Sequence, residues 1–426
     1  MLTPADVLFL FSAGITWLLL LYNFFLTVQA FRYRARFFSQ RQQRQKRKLL
    51  PGDGQLPKVT ILIPAHNEEA VIYRTMVSMA MQNYPPEKLE VIVLNDASTD
   101  GTEKAAAQAQ ARFPQLNIAK VPPPYSGIGK PSALNYGMTI ASGEVIAVYD
   151  ADNTPEPNGI RNLIYHLLSD PKFAGVIGRF RTRNRNRNWL TRFINLETLG
   201  FQWMAQAGRC QFFNVVTIPG TNFLIWRHLL DEIGQWDPHA LAEDTEVTIR
   251  LYQKGYRIGM ALDAITWEEE PETLSVWFKQ RTRWARGNMY VILKYMGQWW
   301  KLGSFALALD IFHMFLVYFI FLLGVLVSTS LFILGLLGLV QLTLQAPLNA
   351  LWAMGVLLFI GILASSLVTE ADEFTLDNLL LVAAMYFSYS QMWLVVVVRA
   401  MVLTVTDRIR GRKTKWYKTE RRKLDL

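Results

Sequence analysis

Cysteine, the residue that forms disulfides and binds many metals, is almost absent from this chain. Cys210 is the single cysteine among 426 residues, so an intrachain disulfide cannot form. The residues around Cys210 also lack the spacing of a metal site. Low-complexity segments and internal repeats are missing as well. These absences exclude a disulfide framework and a repeat array.

Acidic residues are missing between Asp6 and Asp53, and an almost wholly apolar run fills residues 7–28 of that stretch. The run is long enough to cross the ~30 Å core of a bilayer as a helix. A cleaved signal peptide would have a shorter apolar region after a basic start, whereas Asp6 is the only charge before this run. We therefore expect a retained membrane anchor.

Basic residues follow the anchor directly and form a collar made of Arg32, Arg34, Arg36, Arg41, Arg44, Lys46, Arg47 and Lys48. Much of the net charge of +10 lies in this collar and in a tail between Arg408 and Lys423. Nucleic acid is one usual partner of such charge, but collars beside apolar helices fit anionic lipid headgroups better. We expect membrane lipids as partners and no nucleic acid. Positive charge also marks the cytoplasmic side, so the N-terminus points outward.

The middle of the chain has the composition of a soluble α/β domain. Short β-branched runs at 59–64, 89–94 and 144–149 alternate with helical patterns at 69–82, 102–113 and 130–141. This alternation predicts a mostly parallel sheet. Ligands bind such sheets beyond the carboxyl ends of the strands, where the polar clusters HNEE, NDASTD and DAD lie.

The last third of the chain is again apolar. Between residues 305 and 340 the only charge is Asp310, and a helix of that length would be well over one bilayer core. We expect two spans here, with a break near Ser328-Thr329-Ser330, and further spans at 351–368 and 379–403. An even number returns the basic tail to the cytoplasm. The alternative places 299–312 on the membrane interface as an amphipathic helix, followed by three spans or fewer.

This pattern predicts five parts. They are an N-terminal transmembrane helix (1–30), a basic cytoplasmic linker (31–55), a cytoplasmic α/β domain (56–300), a C-terminal transmembrane region of about four helices (301–405) and a basic cytoplasmic tail (406–426).

Two strand ends carry the first candidate site residues. Asp96 follows the second strand, and a carboxylate there is able to accept hydrogen bonds from a nucleobase or a ribose. The alternative is a turn in which Ser98 or Thr99 only caps the next helix. Glu68 follows the first strand in a similar setting, or stabilises a helix N-terminus through its dipole. Two such ends side by side favour a shared pocket.

Asp150 and Asp152, in the segment DAD, follow the third strand. Oxygen ligands at this spacing suit Mg²⁺ or Mn²⁺, which is typically shared with substrate phosphates. The pair is equally compatible with a simple turn, because Pro155 and Pro157 follow closely.

Two later motifs point to catalysis and to binding of an acceptor. Glu243 and Asp244 open an amphipathic helix, where a carboxylate is usually ionised and serves either as a cap or as a general base. In QRTRWARG (280–287), the arginines 281, 283 and 286 suit a pyrophosphate, and Trp284 offers a flat face for a sugar. A basic helix that binds lipid is the alternative.

A third basic stretch, RFRTRNRNRNW, has arginines at 179, 181, 183, 185 and 187, and we expect a solvated loop there rather than contact with headgroups or donor.

The ordered set PAHNEE, NDASTD, GKPSALNYG, DAD, GTNFLIWR, EDTE and QRTRWARG resembles inverting, membrane-integrated family-two glycosyltransferases. The branch includes cellulose, hyaluronan, chitin-oligosaccharide and poly-N-acetylglucosamine synthases. The resemblance implies an α/β domain of the GT-A fold, inserted between transmembrane helices, and a UDP-sugar donor. Two positions depart from the pattern: Asn95 stands where many members have an aspartate, and Ala242 replaces a threonine.

The resemblance also implies a role for each candidate residue. Asp244 is the expected catalytic base, and Asp152 the expected ligand of Mg²⁺ or Mn²⁺. The nucleotide sugar is expected to contact Glu68, Asp96, Lys130, Asp150 and Arg283. The acceptor is expected to contact Glu243, Gln280 and Trp284.

We therefore expect an enzyme of the plasma membrane that adds sugars to a β-linked polysaccharide, with export through its membrane helices and a small membrane or export subunit as partner. A single transfer to diacylglycerol or polyprenyl phosphate is the alternative. A scaffold with a degenerate transferase domain is a third reading, but it predicts damaged carboxylates, and these are intact.

Overall fold

A computed structural model describes residues 3–238, 240, 242–341, 345–370 and 372–410. Most of the predicted basic tail therefore lies outside the described residues. The three predicted strands are confirmed and begin an eight-stranded sheet. Its strands are β1 (Val59–Ala65), β2 (Leu89–Asn95), β3 (Leu116–Lys120), β4 (Val145–Val148), β5 (Thr154–Pro155), β6 (Phe173–Thr182), β7 (Phe223–Trp226) and β8 (Arg257–Glu268).

The sheet is mixed, in the order β3-β2-β1-β4-β7-β6-β8-β5. The first four strands of this order are parallel to one another, as the sequence pattern predicted. β7 runs antiparallel to both β4 and β6. The carboxyl ends of β1, β2 and β4 therefore meet at one edge.

Fifteen α-helices are described. The first eight are α1 (Pro4–Lys46), α2 (Ile72–Ala80), α3 (Thr102–Arg112), α4 (Lys130–Ile140), α5 (Gly159–Leu167), α6 (Trp189–Gly200), α7 (Gly208–Phe213) and α8 (Arg227–Glu232). The others are α9 (Glu243–Gln253), α10 (Leu274–Met296), α11 (Phe305–Phe315), α12 (Leu322–Leu336), α13 (Gln345–Leu367), α14 (Leu376–Phe387) and α15 (Tyr389–Ile409). Wide π-helical segments, Phe201–Ala207 and Leu316–Phe321, join α6 to α7 and α11 to α12. Short 3-10 turns are Asp53–Gln55, Pro86–Lys88 and Trp299–Lys301.

The core lies on both faces of the sheet. Consecutive residues of β1, such as Ile61, Leu62 and Ile63, are all fully buried. A strand buried on both faces reads as a continuous apolar run, and this explains why the strands were visible in the sequence. The apolar sides of α2 and α5 pack on them through Met76 and Leu163.

Helix α1 joins the apolar N-terminal segment to this core. The Thr3 hydroxyl and the Asp6 carboxylate form a capping box at its start. The helix continues through the first half of the predicted linker, where the Tyr33 hydroxyl donates to the Met260 carbonyl at 2.6 Å. Arg41 is 3.1 Å from Asp263 on the sheet. The basic collar is thus helical and packed against the sheet domain up to Lys46.

Three helices among the described residues are long and apolar enough to cross a membrane: Pro4–Lys46, Phe305–Gly335 and Ala350–Leu367. A fourth candidate is the pair α14 and α15, bent by 40° at their junction, which is either a broken span or a re-entrant segment. The predicted break at Ser328-Thr329-Ser330 is wrong, because α12 runs through it. The described part of the chain therefore offers two or three C-terminal spans where the sequence predicted four.

Candidate active site

All ten predicted site residues line a single cavity of about 1010 Å³. It opens at the carboxyl ends of β1, β2 and β4, where ligands of parallel sheets bind. The residues are Glu68, Asp96, Lys130, Asp150, Asp152, Glu243, Asp244, Gln280, Arg283 and Trp284.

Asp96, at the end of β2, is held in place by the loop before α4. Its Oδ1 accepts hydrogen bonds from the Ser126 hydroxyl at 3.0 Å and from the Gly127 N–H at 2.7 Å. Ser98 and Thr99 do not cap the next helix, because α3 begins at Thr102 after Gly101. The interpretation of this stretch as a helix cap alone is therefore wrong. Asp96 is instead a buried carboxylate on the cavity wall.

Glu68, after β1, lines the same cavity as Asp96. Its backbone N–H donates to the Thr102 hydroxyl at 2.6 Å, which joins the first strand end to the start of α3. The ends of β1 and β2 are thereby held together.

Asp150 and Asp152 have different surroundings although one residue separates them. The Asp150 carboxylate accepts a hydrogen bond from the Lys130 ammonium at 2.6 Å. Asp152 is buried, and its Oδ2 accepts from the Glu269 N–H at 3.3 Å. Both carboxylates face the cavity, so the pair is more than the start of a turn.

Lys130 is the cation that pairs with Asp150. Its ammonium also donates to the Gly220 carbonyl at 2.7 Å. Burial alone would lower the pKa of Lys130, but the neighbouring carboxylates of Asp150 and Glu243 outweigh it and raise the pKa above its ordinary value. Lys130 therefore carries its positive charge into the cavity.

Gly220 is a site residue that the sequence did not single out, although it opens the motif GTNFLIWR. Its φ of +85° is a backbone conformation that favours glycine. A Cβ at this position would come within 3.0 Å of Asp244 Oδ2. Glycine is thus required both by the turn and by the approach of the Asp244 carboxylate.

Glu243 and Asp244 begin α9, yet neither is its cap. The N-cap position is Ala242, whose side chain makes no capping bond, although Asp244 Oδ1 accepts from the Thr245 N–H of the first turn at 2.7 Å. Burial and the neighbouring Asp244 raise the pKa of Glu243, and burial raises the pKa of Asp244. The sequence predicted ionised carboxylates, because a carboxylate at a helix N-terminus is usually ionised. In the structure this pair holds a proton more readily than exposed carboxylates do.

Helix α10 contributes the motif QRTRWARG, and its three arginines have different tasks. Arg283 lines the cavity among the carboxylates of Glu243, Asp150 and Asp244. Arg286 pairs with Asp407 of α15 at 2.7 Å. Arg281 is 1% exposed and lies against the Trp284 ring, 4.0 Å from its centroid. Arg283 is therefore the arginine best placed for a pyrophosphate.

Glu197, on α6, joins three helices behind Trp284. Its Oε2 accepts from Arg281 Nη2 at 2.8 Å and from the Tyr389 hydroxyl at 2.7 Å. Its Oε1 accepts from Trp393 Nε1 at 2.8 Å. Glu197 and Trp393 also line the cavity. No sequence pattern distinguishes them, because the contacts join residues more than 80 positions apart.

The expected solvated loop is wrong for three of the five alternating arginines, whereas Arg183 and Arg187 are exposed in the turn after β6. Arg179 pairs with Glu370. Arg181 is 2.7 Å from Asp372, and Arg185 is 3.1 Å from Glu373. These contacts, the arginine clasp, fasten the segment between α13 and α14 to β6.

Many carboxylates line this cavity, but the described ones form no ready-made metal cluster. Among the described residues, no group of three or more histidine, cysteine, aspartate or glutamate side chains is arranged to hold one. Mg²⁺ commonly takes one or two carboxylates and completes its shell with phosphates and water. The buried Asp152, with Asp150 one residue away, fits that donor set.

Comparison with known proteins gives a consistent result. Residues 57–287 match the family model described as "Glycosyltransferase like family 2". The chain is 43% identical to "Probable glycosyltransferase YdaM" of Bacillus subtilis, over 98% of both chains. It is 29% identical to "Beta-monoglucosyldiacylglycerol synthase" of Synechocystis, over 58% of this chain and 52% of that one. It is also 29% identical to "Poly-beta-1,6-N-acetyl-D-glucosamine synthase" of Staphylococcus aureus, over 61% of each.

Among solved structures, a mannosyltransferase of Pyrobaculum calidifontis in complex with GDP-Man and Mn²⁺ superposes with a TM-score of 0.55. The two share 22% sequence identity, and the match covers 85% of this chain and 99% of the other. At this identity the likeness concerns the fold.

Proposed function

The chain belongs to glycosyltransferase family 2 and has the GT-A fold; we propose that it transfers a sugar from a UDP-sugar to a growing β-linked polysaccharide at the plasma membrane. One observation supports this proposal above the others. A single cavity contains the nucleotide-side carboxylates, the general base, an aromatic platform and the side chains of apolar helices. Donor, reaction centre and acceptor path are thus continuous.

The donor occupies the end of the cavity formed by the sheet. Asp96 contacts the uridine, with Glu68 beside it. Lys130 and Arg283 face the diphosphate of the donor, and Asp150 faces its nucleoside. The positive charge of the two cations supports this arrangement, because cleavage leaves negative charge on the departing UDP.

Asp152, assisted by Asp150, would hold Mg²⁺ or Mn²⁺. A divalent cation bound there neutralises charge on the diphosphate. The relative solved with Mn²⁺ supports this assignment.

Asp244 acts as the general base. The acceptor hydroxyl attacks the anomeric carbon while the bond from that carbon to the phosphate oxygen breaks. The hydroxyl proton passes to Asp244, and UDP leaves with the electron pair of the broken bond. The raised pKa of Asp244 favours this transfer, because a base works best when its pKa is near the working pH. A single displacement inverts the centre, so an α-linked donor gives a β-linked product.

Gln280, Trp284 and Glu243 hold the acceptor. Trp284 is 41% exposed, and Arg281 covers one face of its ring. The other face is a platform on which the newest sugar of a chain stacks. Such a platform next to the base suits repeated addition at the same chain end.

A lipid acceptor is the second candidate. The cavity wall includes Leu26, Met314 and Val317 from helices of the apolar part, so a hydroxyl on a membrane lipid has a route to Asp244. The relative named as a glucosyldiacylglycerol synthase supports this candidate as much as the synthase relative supports the first.

The apolar helices support attachment to a membrane. We propose that several of them cross it, and that the sheet domain lies in the cytoplasm because the basic collar follows the first apolar helix.

Incubation of the purified protein in detergent with radiolabelled UDP-sugars and Mn²⁺ tests the function. High-molecular-weight product is expected. Chloroform-soluble product would favour the lipid acceptor over the polysaccharide. The absence of turnover with every donor would reject both hypotheses.

Asp244→Asn should lower transfer by at least a thousandfold, because the base is lost, while the affinity for UDP stays within about twofold. Asp231→Asn is the matched control, since Asp231 lies on α8 and outside the cavity lining. Substantial residual turnover in Asp244→Asn would contradict the role as base.

A further inference from the structure

We propose that Asn135 is a positioning residue for the reaction, which holds α9 and its Asp244 in a fixed place relative to Lys130 on α4. The inference rests on the proposed function, because it concerns the base of that same reaction. Asn135 lies outside the cavity lining, so it acts through the residues that it fastens.

Helices α4 and α9 each bring a charged side chain to the cavity in their first turn. Lys130 is the first residue of α4, and Asp244 is the second residue of α9. Both lie next to Gly220, where an added Cβ would be 3.0 Å from Asp244 Oδ2 and 3.8 Å from Lys130 Nζ. A small shift of one helix against the other therefore changes the distance between base and cation.

Away from the cavity, Asn135 fastens α4 to the backbone of Trp236. Its Nδ2 donates to the Trp236 carbonyl at 2.8 Å, and its Oδ1 accepts from the Trp236 N–H at 3.1 Å. Trp236 is 1% exposed. A buried backbone group that loses its partner is costly, so these two hydrogen bonds define where Trp236 lies.

Arg250, on α9, binds the residues just before Trp236. Its Nη2 donates to the Gln235 carbonyl at 2.6 Å, and its Nη1 donates to the Ile233 carbonyl. Its Nε donates at 2.7 Å to the buried carboxylate of Glu246, one turn earlier on α9. Residues 233–236, the bridge, are thus joined to α4 by Asn135 and to α9 by Arg250.

The backbone of the bridge depends on these contacts. Gly234 and Gln235 are consecutive residues with positive φ, at +81° and +58°. The second of these values is uncommon for a residue with a Cβ, and such a conformation persists where the surroundings hold it. Loss of either contact should therefore loosen the bridge and let α9 move relative to α4.

Asp244 should move more than Lys130 in such a protein. The Lys130 ammonium is held independently by the Asp150 carboxylate and the Gly220 carbonyl. The donor side of the cavity should thus keep its affinity for UDP. Chemistry should slow, because a displacement of about 1 Å at a reacting group can cost up to about a hundredfold in rate.

Two variants on different helices test the bridge. Asn135→Ala removes both hydrogen bonds to Trp236, and Arg250→Lys keeps a positive charge beside Glu246 but cannot bond both carbonyls. Each should lower kcat by about tenfold, while the donor KM and the affinity for UDP stay within about twofold. Initial rates of sugar transfer and calorimetric titration with UDP measure this split.

The double variant tests whether both residues act through the same segment. Its kcat should be within about twofold of the slower single variant, because a bridge that is already loose has little left to lose. A fall equal to the product of the two single effects would overturn the proposal. If Asn135→Ala does not fold, the split between kcat and UDP affinity in Arg250→Lys decides.

Asn162→Ala is the matched control. Asn162, on α5 and outside the cavity lining, also makes two hydrogen bonds, to the Asp263 carbonyl and from Arg41, at 2.7 Å each. Its kcat should stay within about twofold of the wild type. An equal fall in this control, a wild-type kcat in both test variants, or a parallel loss of UDP affinity would overturn the proposal. Failure of the proposed function is visible earlier, because the wild-type protein itself would then transfer no sugar.

Discussion

Glu243 and Asp244 are adjacent, half-buried carboxylates at the start of α9, and the Asp244 charge makes ionisation of Glu243 harder. The pKa of Glu243 rises to about 7 from an ordinary value of 4.5. Between these pH values the folded chain holds a proton that the unfolded chain has released. The free energy of unfolding therefore falls as the pH rises through this window.

Glu243→Gln should stabilise the protein at high pH. Above pH 7 the variant has no second charge to bury beside Asp244, and the gain is at most about 3 kcal/mol. The gain should shrink towards pH 5, where the wild-type pair already holds its proton. Thermal unfolding in detergent at pH 5 and pH 8, followed by tryptophan fluorescence, measures the difference.

Glu232→Gln is the control, because the pKa of Glu232 is shifted in the opposite direction. Glu232 is exposed, and the hydrogen bond from the Tyr256 hydroxyl lowers its pKa. Its replacement should give no gain at pH 8. Equal effects of Glu243→Gln at both pH values would contradict the raised pKa.

The sequence predicted which residues meet at the site, because strand ends of a parallel sheet lie along one edge. Asp96 and Asp150 were found in that way. Glu197 and Trp393 were not, because their position depends on packing between helices that are distant in the chain. Charge state was also beyond the sequence, since the burial of Asp244 depends on the whole fold.

At the scale of elements, α6, α10 and α15 meet at the Glu197 carboxylate. This contact holds Arg281 against the Trp284 ring, so Glu197 is a positioning residue for the acceptor platform proposed above. The predicted kinetic effect is therefore on the acceptor and not on the donor.

Glu197→Gln should raise the acceptor KM by about tenfold and leave the donor KM within twofold, because a neutral amide holds Arg281 less firmly than a carboxylate by ~1 to 2 kcal/mol. Initial rates with each substrate varied in turn measure the split. Tyr389→Phe removes the hydrogen bond to Glu197 and the one from Trp277 Nε1 but leaves the ion pair between Glu197 and Arg281 intact, so it should give a smaller shift in the same direction. Equal rises in both KM values would indicate a general loss of structure instead.

The sequence was less informative about the apolar helices. The serine and threonine residues at 328–330 suggested a break, but such side chains are tolerated in apolar helices because their hydroxyls bond the carbonyl one turn earlier. Thr16 and Thr27 of α1 do this with Ser12 and Asn23. Polarity alone is therefore a poor sign of a helix end in apolar surroundings.

At the scale of the whole molecule, the bent pair of α14 and α15 is fastened to the sheet domain and to α10 at both ends. The arginine clasp holds the segment before α14, and Arg286 holds Asp407 near the end of α15. A single crossing would place the two ends on opposite sides, and α14, with 12 residues, is too short for a second crossing. We infer that two spans follow the sheet domain and that residue 410 lies on the same side as the sheet domain.

Single cysteines in a Cys210→Ser background test this arrangement. Leu339→Cys, between the two spans, should react with a membrane-impermeant thiol reagent on intact cells. Ile409→Cys should react only after lysis. Both side chains are exposed, at 70% and 79%. Labelling of Ile409→Cys from outside would show that α14 and α15 cross the membrane.

The contribution of Trp393 to the cavity wall also bears on how the protein is made. Translation delivers α1 first and the sheet domain next, and a nascent chain at that stage has the strand ends that surround the donor. The acceptor wall is complete only after α15 has emerged and Trp393 has met Glu197. Synthesis of the last described helix thus completes the active site, and a ribosome that stalls before it leaves a chain with a donor pocket and an unfinished acceptor path.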